Sequence, residues 1–385
     1  MRVHKIDRML MLCCLASVMS AGCNGKPKEL QIRPDHAYAD ARTLLIQSTE
    51  DPNPVVRTHA LEALVSVESG LARGVIVQAL KDDRLPVMAA AVLASGDIRF
   101  AGVKTELLAM ASARDPAPPQ KLMCALIYAL HQLGDDTYTT ELGRLLHHSD
   151  KYVRAEAARI MGKMGVPSAV GPLKSRQRDE LDMAVRLNIA EALALLGDER
   201  SLAILEVFTK DEYLESRLIA IEGLGRLPHP RSVLVLQGIT GNHKQDPLVR
   251  VAAAKSLARL GDTSGYDQAM AALARPRVVL ERARGRDADI REMEVIALQA
   301  QAALALGQMK NRLAVDALHP LLSSNRGSVR VAAAQAIMNL LRGYRLAAPK
   351  AQPEPLPPDV KTVPKQPDTA PALLPPKLHT SGGKD

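Results

Sequence analysis

A short pattern recurs nine times along the chain and constrains the fold more than any other feature. At residues 246–262 it reads DPLVRVAAAKSLARLGD, with a turn acid, a Val-Arg pair, a run of small residues and a closing Leu-Gly-Asp. Aligned on the second residue of the pair, the copies fall at 57, 88, 123, 154, 186, 217, 250, 296 and 330. The copies are 31 to 35 residues apart except for one step of 46. A repeat of this length indicates stacked supersecondary units.

Each unit reads as two short helices and a turn. Apolar residues recur at three- and four-residue spacing in the pattern and in the stretches between copies, such as 71–80 and 201–210. Only 2% of the residues are aromatic although 47% are hydrophobic, so the core consists of small aliphatic side chains. The alanine run lets neighbouring helices approach closely. The sequence therefore predicts an all-α, right-handed superhelical solenoid of about nine helical pairs over residues 36–346.

Turn residues predict where the second helix of each unit begins. Asp150, Asp182 and Asp246 stand four residues before the arginine, and Asn53 occupies the same position. Asp and Asn are favoured N-caps. The four-residue spacing also predicts that each Asp lies beside its own Arg on one helix face.

The pattern D-x-x-V-R-x-x-A-x-x-A-L-x-x-L-G, best kept from residues 150, 182 and 246, resembles the HEAT repeat. It resembles most the short bacterial form named after phycocyanobilin lyases, over about residues 36–342. The resemblance specifies a fold and says little about chemistry. It implies that the repeated arginine pairs with a turn carboxylate of its own or the next unit. The alternative is a row of cations that binds phosphates or acidic partners. The column comprises Arg57, Arg154, Arg186, Arg217, Arg250 and Arg330.

The 46-residue step contains an arginine-rich insertion, RPRVVLERARGRDADIREME, at residues 275–294. Insertions in repeat proteins fall on loops, often on the binding face. The insertion is therefore the candidate partner-binding patch, for an acidic protein surface or lipid headgroups. The alternative is a solvated helix with self-paired charges, because the acids nearly balance the bases. The patch comprises Arg275, Arg277, Arg282, Arg284, Arg286 and Arg291.

The two ends of the chain differ from the repeats. Residues 1–22 have a basic start and a short apolar run, typical of an export signal. Residues 20–23, at the end of this segment, read Ser-Ala-Gly-Cys. This motif resembles a bacterial lipobox and implies lipidation of Cys23. An ordinary signal peptide or an uncleaved anchor is the alternative. Residues 23–35 are predicted to be a linker, and the proline-rich residues 347–385 a disordered tail. Cys124 lies in an apolar helical run and is predicted to be a buried thiol.

Motifs for catalysis are missing from the sequence. It contains no H-E-x-x-H, C-x-x-C, G-x-S-x-G or phosphate-binding glycine loop. It also contains no His-Glu dipeptide, whereas HEAT-like deoxyhypusine hydroxylases bind iron through such pairs. We therefore expect no metal, cofactor, nucleic acid or small-molecule substrate. The expected function is a non-catalytic, lipid-anchored scaffold for an unidentified protein at the bacterial envelope, with the outer membrane favoured by Asn24. The alternative is a HEAT-like enzyme or enzyme-associated protein of the phycobilin lyase or deoxyhypusine hydroxylase kind.

Overall fold

The computed structural model describes residues 29–287 and 289–343, and these are all helix and turn. The predicted signal peptide, Cys23 and the predicted tail lie outside the described residues. Four short 3-10 segments accompany the α-helices, at Ala101–Val103, Pro167–Ala169, Arg312–Ala314 and His319–Ser323. The α-helices are α1 (Pro34–Ser48), α2 (Pro54–Val67), α3 (Ser69–Ala79), α4 (Leu85–Asp97), α5 (Lys104–Ser112), α6 (Gln120–Gln132), α7 (Thr139–Leu145), α8 (Lys151–Met164), α9 (Val170–Asp179), α10 (Met183–Leu195), α11 (Ser201–Phe208), α12 (Leu214–Leu224), α13 (Pro230–Gly241), α14 (Pro247–Arg259), α15 (Tyr266–Ala274), α16 (Pro276–Arg284), α17 (Glu292–Gln308), α18 (Val315–Leu318) and α19 (Gly327–Leu340).

The nine repeat copies form a layer of inner helices. Each inner helix packs against the next, and an outer helix precedes each of them. This confirms the predicted all-α solenoid of nine helical pairs within the described residues. The insertion contributes one additional helix, α16, between α15 and α17. The inner helices are α2, α4, α6, α8, α10, α12, α14, α17 and α19.

The solenoid closes on itself, which the sequence analysis did not predict. The last inner helix, α19, packs against both α1 and α2 at the start of the array. The Asp316 carboxylate accepts hydrogen bonds from the backbone N–H groups of Gln31 and Ile32, at 3.1 Å. Gln335 donates a side-chain hydrogen bond of 2.9 Å to Ser66 Oγ. The inner helices therefore form a closed ring, and the contact of α19 with α1 and α2 is here called the closing joint.

Small residues set the spacing between inner helices, as predicted from the alanine runs. A Cβ on Gly162 of α8 would stand 2.6 Å from the Cα of Ala192 in α10. A Cβ on Gly327 would stand 2.5 Å from Val56 Cγ2 across the closing joint. Both distances are shorter than Cβ contacts in proteins allow. Glycine is therefore required for these close approaches at internal and closing joints alike.

The predicted N-caps are confirmed, but the predicted pairing of each Asp with its own Arg is wrong. Asp150, Asp182 and Asp246 each accept hydrogen bonds from backbone N–H groups in the first turn of their helix. Asn53 does the same in α2. The capping carboxylates of Asp182 and Asp246 pair with Lys151 and Arg284 instead of with their own arginines.

The core follows the ring as a layer of buried Ala, Leu, Val and Ile between inner and outer helices. Cys124 lies in this layer with no exposed surface, which confirms a buried thiol. Burial raises the pKa of the Cys124 thiol to about 12. No described helix is both long enough and apolar enough to cross a bilayer.

Candidate functional site

The arginine column fixes the turns before the inner helices and joins neighbouring repeats at three of its six positions. The Nη1 atoms of Arg57, Arg154 and Arg217 each donate to the backbone carbonyl six residues earlier, at 2.9 to 3.0 Å. Arg330 makes the same bond to the Ser324 carbonyl at 2.9 Å. Arg250 instead donates to the Thr240 carbonyl at 3.2 Å. These bonds fix the turn before the inner helix, so the guanidinium groups are directed into the joints.

Three of these arginines also reach a carboxylate of the next repeat. The Arg57–Asp82 and Arg154–Glu180 pairs are 2.8 Å apart. The second residue of the Val-Arg pair, on which the copies are aligned, is here called the register position. Each acid stands six residues before the register position of the next repeat. Arg217 and Arg250 have no such pair because Lys244 and Ile290 occupy the position of the acid in the next repeat. Arg186 also lacks this pair, and its Nη1 lies 3.7 Å from Met183 Sδ.

The closing joint uses the same pair. Arg330 in the last repeat lies 3.3 Å from Asp51, which stands six residues before the first register position. The first repeat therefore serves as the next repeat for the last one. In Arg57, Arg154 and Arg330 the column makes the structural pair implied by the resemblance.

The predicted arginine patch divides into tied and open side chains. Arg284 lies 2.7 Å from Glu294 and 2.9 Å from Asp246. Arg277 lies 3.8 Å from Glu292, and the backbone N–H of Arg291 donates to the Glu294 carboxylate. The other four side chains are exposed, and no ion pair to another described residue is found for them: Arg275, Arg282, Arg286 and Arg291. The patch is thus partly self-paired and partly open.

All nine inner helices run in the same direction, so their first turns share one edge of the ring, here called the N-terminal rim. Ion pairs join neighbouring first turns along it, as in Lys151–Asp182 at 3.0 Å. Of the twelve exposed large hydrophobic residues in the described part of the chain, seven lie within two residues of an inner-helix start. They are Val55, Leu85, Tyr152, Leu181, Met183, Tyr213 and Met293. The edge with these exposed apolar side chains is therefore a candidate interaction surface.

A cavity of about 840 Å³ opens at this rim inside the ring. Five consecutive inner helices line it, namely α12, α14, α17, α19 and α2. Its walls near the rim are apolar and include Val55, Leu248, Met293, Ile296 and Val331. Polar side chains also line it, with Asn53 and Ser328 at the rim and the others further along the helices, namely His59, Glu62, Lys255, Gln301, Gln308 and Gln335. The volume lies within the range of small-molecule pockets.

Inner side chains of α10, α12 and α14, together with Arg226 just after α12, form a network of ion pairs, here called the charged arc. Glu222 lies 2.7 Å from Arg259, 3.2 Å from Arg226 and 3.4 Å from Lys255. Burial acts to raise the pKa of Glu222, but these three cations lower it to about 2. Burial prevails at Glu191, whose pKa is raised. Acids on one face therefore titrate very differently according to the cations that surround them.

The polar inner face was missed in the sequence analysis, although a signal for it exists. Five residues after the register position, eight of the nine copies carry a side chain with a polar group. The nine residues are Glu62, Leu93, Tyr128, Arg159, Glu191, Glu222, Lys255, Gln301 and Gln335. Polar residues inside an otherwise apolar helical pattern are expected only where the helix faces water or a ligand. Within the described ranges, no three His, Cys, Asp or Glu side chains come together as candidate metal ligands.

Comparisons with known proteins agree on the repeats. The family model described as HEAT repeats matches residues 139–215 and 203–286, and the PBS lyase HEAT-like repeat model matches residues 298–324. No curated protein matches the chain. The solved complex of CpcE and CpcF of phycocyanin lyase from Nostoc is similar with 18% identity and a TM-score of 0.38, over 67% of this chain and 98% of that one. Human deoxyhypusine hydroxylase in complex with glycerol is similar with 18% identity and a TM-score of 0.34, over 80% of this chain and 96% of that one.

Proposed function

We propose that this chain of HEAT repeats is a non-catalytic scaffold of the bacterial cell envelope. Lipidated Cys23 tethers the ring to a membrane, and the N-terminal rim binds a protein partner. The observation that supports this most is the concentration of exposed apolar side chains on that rim, where Leu181 is 93% and Met293 78% exposed. Solvating so many apolar side chains on one edge is unfavourable, and a partner that covers them removes the cost.

Charge favours a partner with acidic groups beside its apolar contacts. Arg282 and Arg286 lie at the end of α16 and in the loop before α17, and this loop leads to the N-terminal rim. Arg84, at the start of α4, has a side chain that is 63% exposed. Carboxylates on a partner would pair with these cations at the edge of the apolar contact and steer its approach.

The path of the chain orients the ring relative to its tether. The outer helix α1 and the inner helix α2 form a hairpin, so α1 begins on the side of the ring opposite to the N-terminal rim. The segment from Cys23 to Pro34 has eleven steps and spans at most about 40 Å when fully extended. A tether entering from the opposite side directs the N-terminal rim away from the membrane and toward a soluble partner.

Site-specific photocrosslinking in intact cells tests the proposed rim. A photoreactive amino acid replaces Tyr152, Leu181 or Tyr213 on the rim, or the equally exposed Val207 and Leu234 on outer helices. We expect one and the same crosslinked protein from all three rim positions and none from the outer positions. Leu181→Asp should reduce that crosslink at the other rim positions. Crosslinks that do not depend on position would overturn the proposal.

Two further measurements address the tether and the absence of catalysis. Cys23→Ala should release the protein from the membrane fraction, because the acyl chains are lost. Membrane association that is unchanged in this variant would refute the tether. Elemental analysis of the purified protein should find no stoichiometric iron or zinc, and bound iron would favour an enzyme.

A further inference from the structure

The ring cavity has the composition of a recognition site for a small organic molecule. Aliphatic side chains from four helices face one another across it, including Leu218, Leu248, Ile296, Leu304 and Val331. A space of about 840 Å³ with such walls can bury most of the apolar surface of a drug-sized ligand. The ligand therefore has an apolar body.

Glu62 supplies an unpaired negative charge on this wall. No salt bridge or hydrogen bond of its carboxylate is found within the described residues. Three side chains act to lower its pKa, namely His59, Lys163 and Arg159, and of these Lys163 lies 2.8 Å from Asp97 and Arg159 lies 2.6 Å from Glu156. Desolvation by the surrounding protein outweighs them and raises the pKa of Glu62, although the residue itself remains exposed. A positive group placed beside this unpaired carboxylate would form an ion pair inside the ring.

The other polar groups of the cavity also favour a donor. Lys255 is already 3.4 Å from Glu222, so its ammonium group is engaged. The side-chain oxygens of Gln301 and Gln308 are buried and have no hydrogen-bond donor among the described residues. Both glutamines line the cavity. An ammonium group carries three donors and no acceptor, which suits a carboxylate and two amide oxygens.

We propose that the ring cavity binds an amphipathic organic cation, a molecule with an apolar body and a protonated amine. The amine lies against Glu62, and the body fills the aliphatic part of the cavity toward the N-terminal rim. This ligand is distinct from the protein partner, and its binding requires no catalysis. It extends the sequence analysis, which predicted no small-molecule substrate.

Fluorescence titration of the purified protein with three dansyl probes tests the proposal. Dansylcadaverine carries a primary ammonium group, dansyl-aminohexanoate carries a carboxylate, and N-pentyl dansylamide is neutral. All three share the fluorescent body, so differences in affinity report the charged group. We expect dansylcadaverine to bind at least about tenfold more tightly than the neutral probe, the contribution of one hydrogen-bonded charge pair.

Variants assign the effect to Glu62. Glu62→Gln should reduce dansylcadaverine affinity to that of the neutral probe, while Glu199→Gln, an exposed acid outside the cavity, should leave it unchanged. Octylammonium should displace dansylcadaverine from the unmodified protein, and octanol should not, which keeps the test independent of any variant's folding. Equal affinity for all three probes, tighter binding of the anionic probe, or unchanged binding to Glu62→Gln would overturn the proposal. No partner protein takes part, so failure here is separate from failure of the crosslinking experiment.

Discussion

The internal joint between α8 and α10 and the closing joint between α19 and α2 are built from the same parts but differ in covalent connection. Both contain a repeated arginine, an acid six residues before the next register position, and a glycine at the helix contact. The helices of the internal joint are also linked through α9, whereas the closing joint joins segments 279 residues apart. Ring closure therefore needs no special motif, because the ordinary contact between repeats is sufficient when the ends meet.

The largest expected effect concerns the internal joint. The Glu180 side chain is 1% exposed and lies 2.8 Å from Arg154 and 2.7 Å from Arg176. Glu180→Gln leaves two guanidinium groups without a carboxylate, and we expect a loss of about 3–5 kcal/mol in the free energy of unfolding. Urea denaturation measures it. The control Glu199→Gln should change stability by less than about 0.5 kcal/mol, and a similarly small effect of Glu180→Gln would show that the internal joint does not depend on this acid.

The second-largest effect is expected from acid pH, which should weaken the same internal joint. Burial acts to raise the pKa of Glu180, but hydrogen bonds from Arg154, Asp182 N–H and Arg176 lower it from 4.5 to about 2. A depressed carboxyl pKa contributes stability that is present above pH 4.5 and is lost as the pH falls toward 2, amounting to about 3 kcal/mol.

Hydrogen exchange measured between pH 5 and pH 2 locates this loss. We expect α8 to α10 to lose protection before α19 and α2, because the ion pair of the closing joint is more exposed than that of the internal joint and contributes less to stability. Exchange that increases first at the closing joint would contradict the expectation.

A steric substitution should open the closing joint. In Gly327→Val the new Cβ would meet Val56 Cγ2 at 2.5 Å, and we expect a cost of about 1–3 kcal/mol. No covalent link holds α19 to α2, so the ring should open there, with faster hydrogen exchange in α1 and α19 and a larger radius of gyration in solution scattering. Gly238→Val in α13 is the control, since nothing lies within 4 Å of a Cβ at that position. A ring that stays closed in the Gly327 variant would mean that the joint adjusts without separating.

The smallest effect is expected from the ion pair of the closing joint. Asp51→Asn removes the charge 3.3 Å from Arg330, and both side chains are partly exposed, 17% and 24%. We expect a loss of about 1 kcal/mol or less, reduced further at high salt. Thermal melts at two salt concentrations, with the neighbouring Glu50→Gln as control, measure it. A loss as large as that from Glu180→Gln would show that the closing joint depends more on charge than the internal one.

Sequence predicted the parts of this molecule that depend on local patterns. The inner helices, their N-caps at Asn53 and Asp150, and the buried Cys124 follow from residue type and spacing within one repeat. The pairing of each Asp with its own arginine failed because the arginines have other acceptors, as Arg154 has in the His148 carbonyl and the Glu180 carboxylate. Local patterns thus determine the helices but not the choice between competing partners.

Ring closure could not be read from one repeat, since it depends on the summed rotation of all of them. One sign of ring closure is present in the sequence. Asp51 stands six residues before the first register position, although none of the nine copies precedes it to supply an arginine. The cavity was missed for a similar reason. Glu62 and Lys255 are almost 200 residues apart in sequence and face one space only after the ring has closed.

A closed ring also restricts how this family of sequences can evolve. An open array lengthens or shortens by one unit at little cost, since each unit contacts only its neighbours and the ends carry caps. Here nine inner helices complete a full turn, about 40° apiece, and within the described residues the first and last repeats cover each other. A duplicated or deleted unit would change the circumference and disrupt the closing joint, so the copy number should be inherited unchanged while individual repeats diverge.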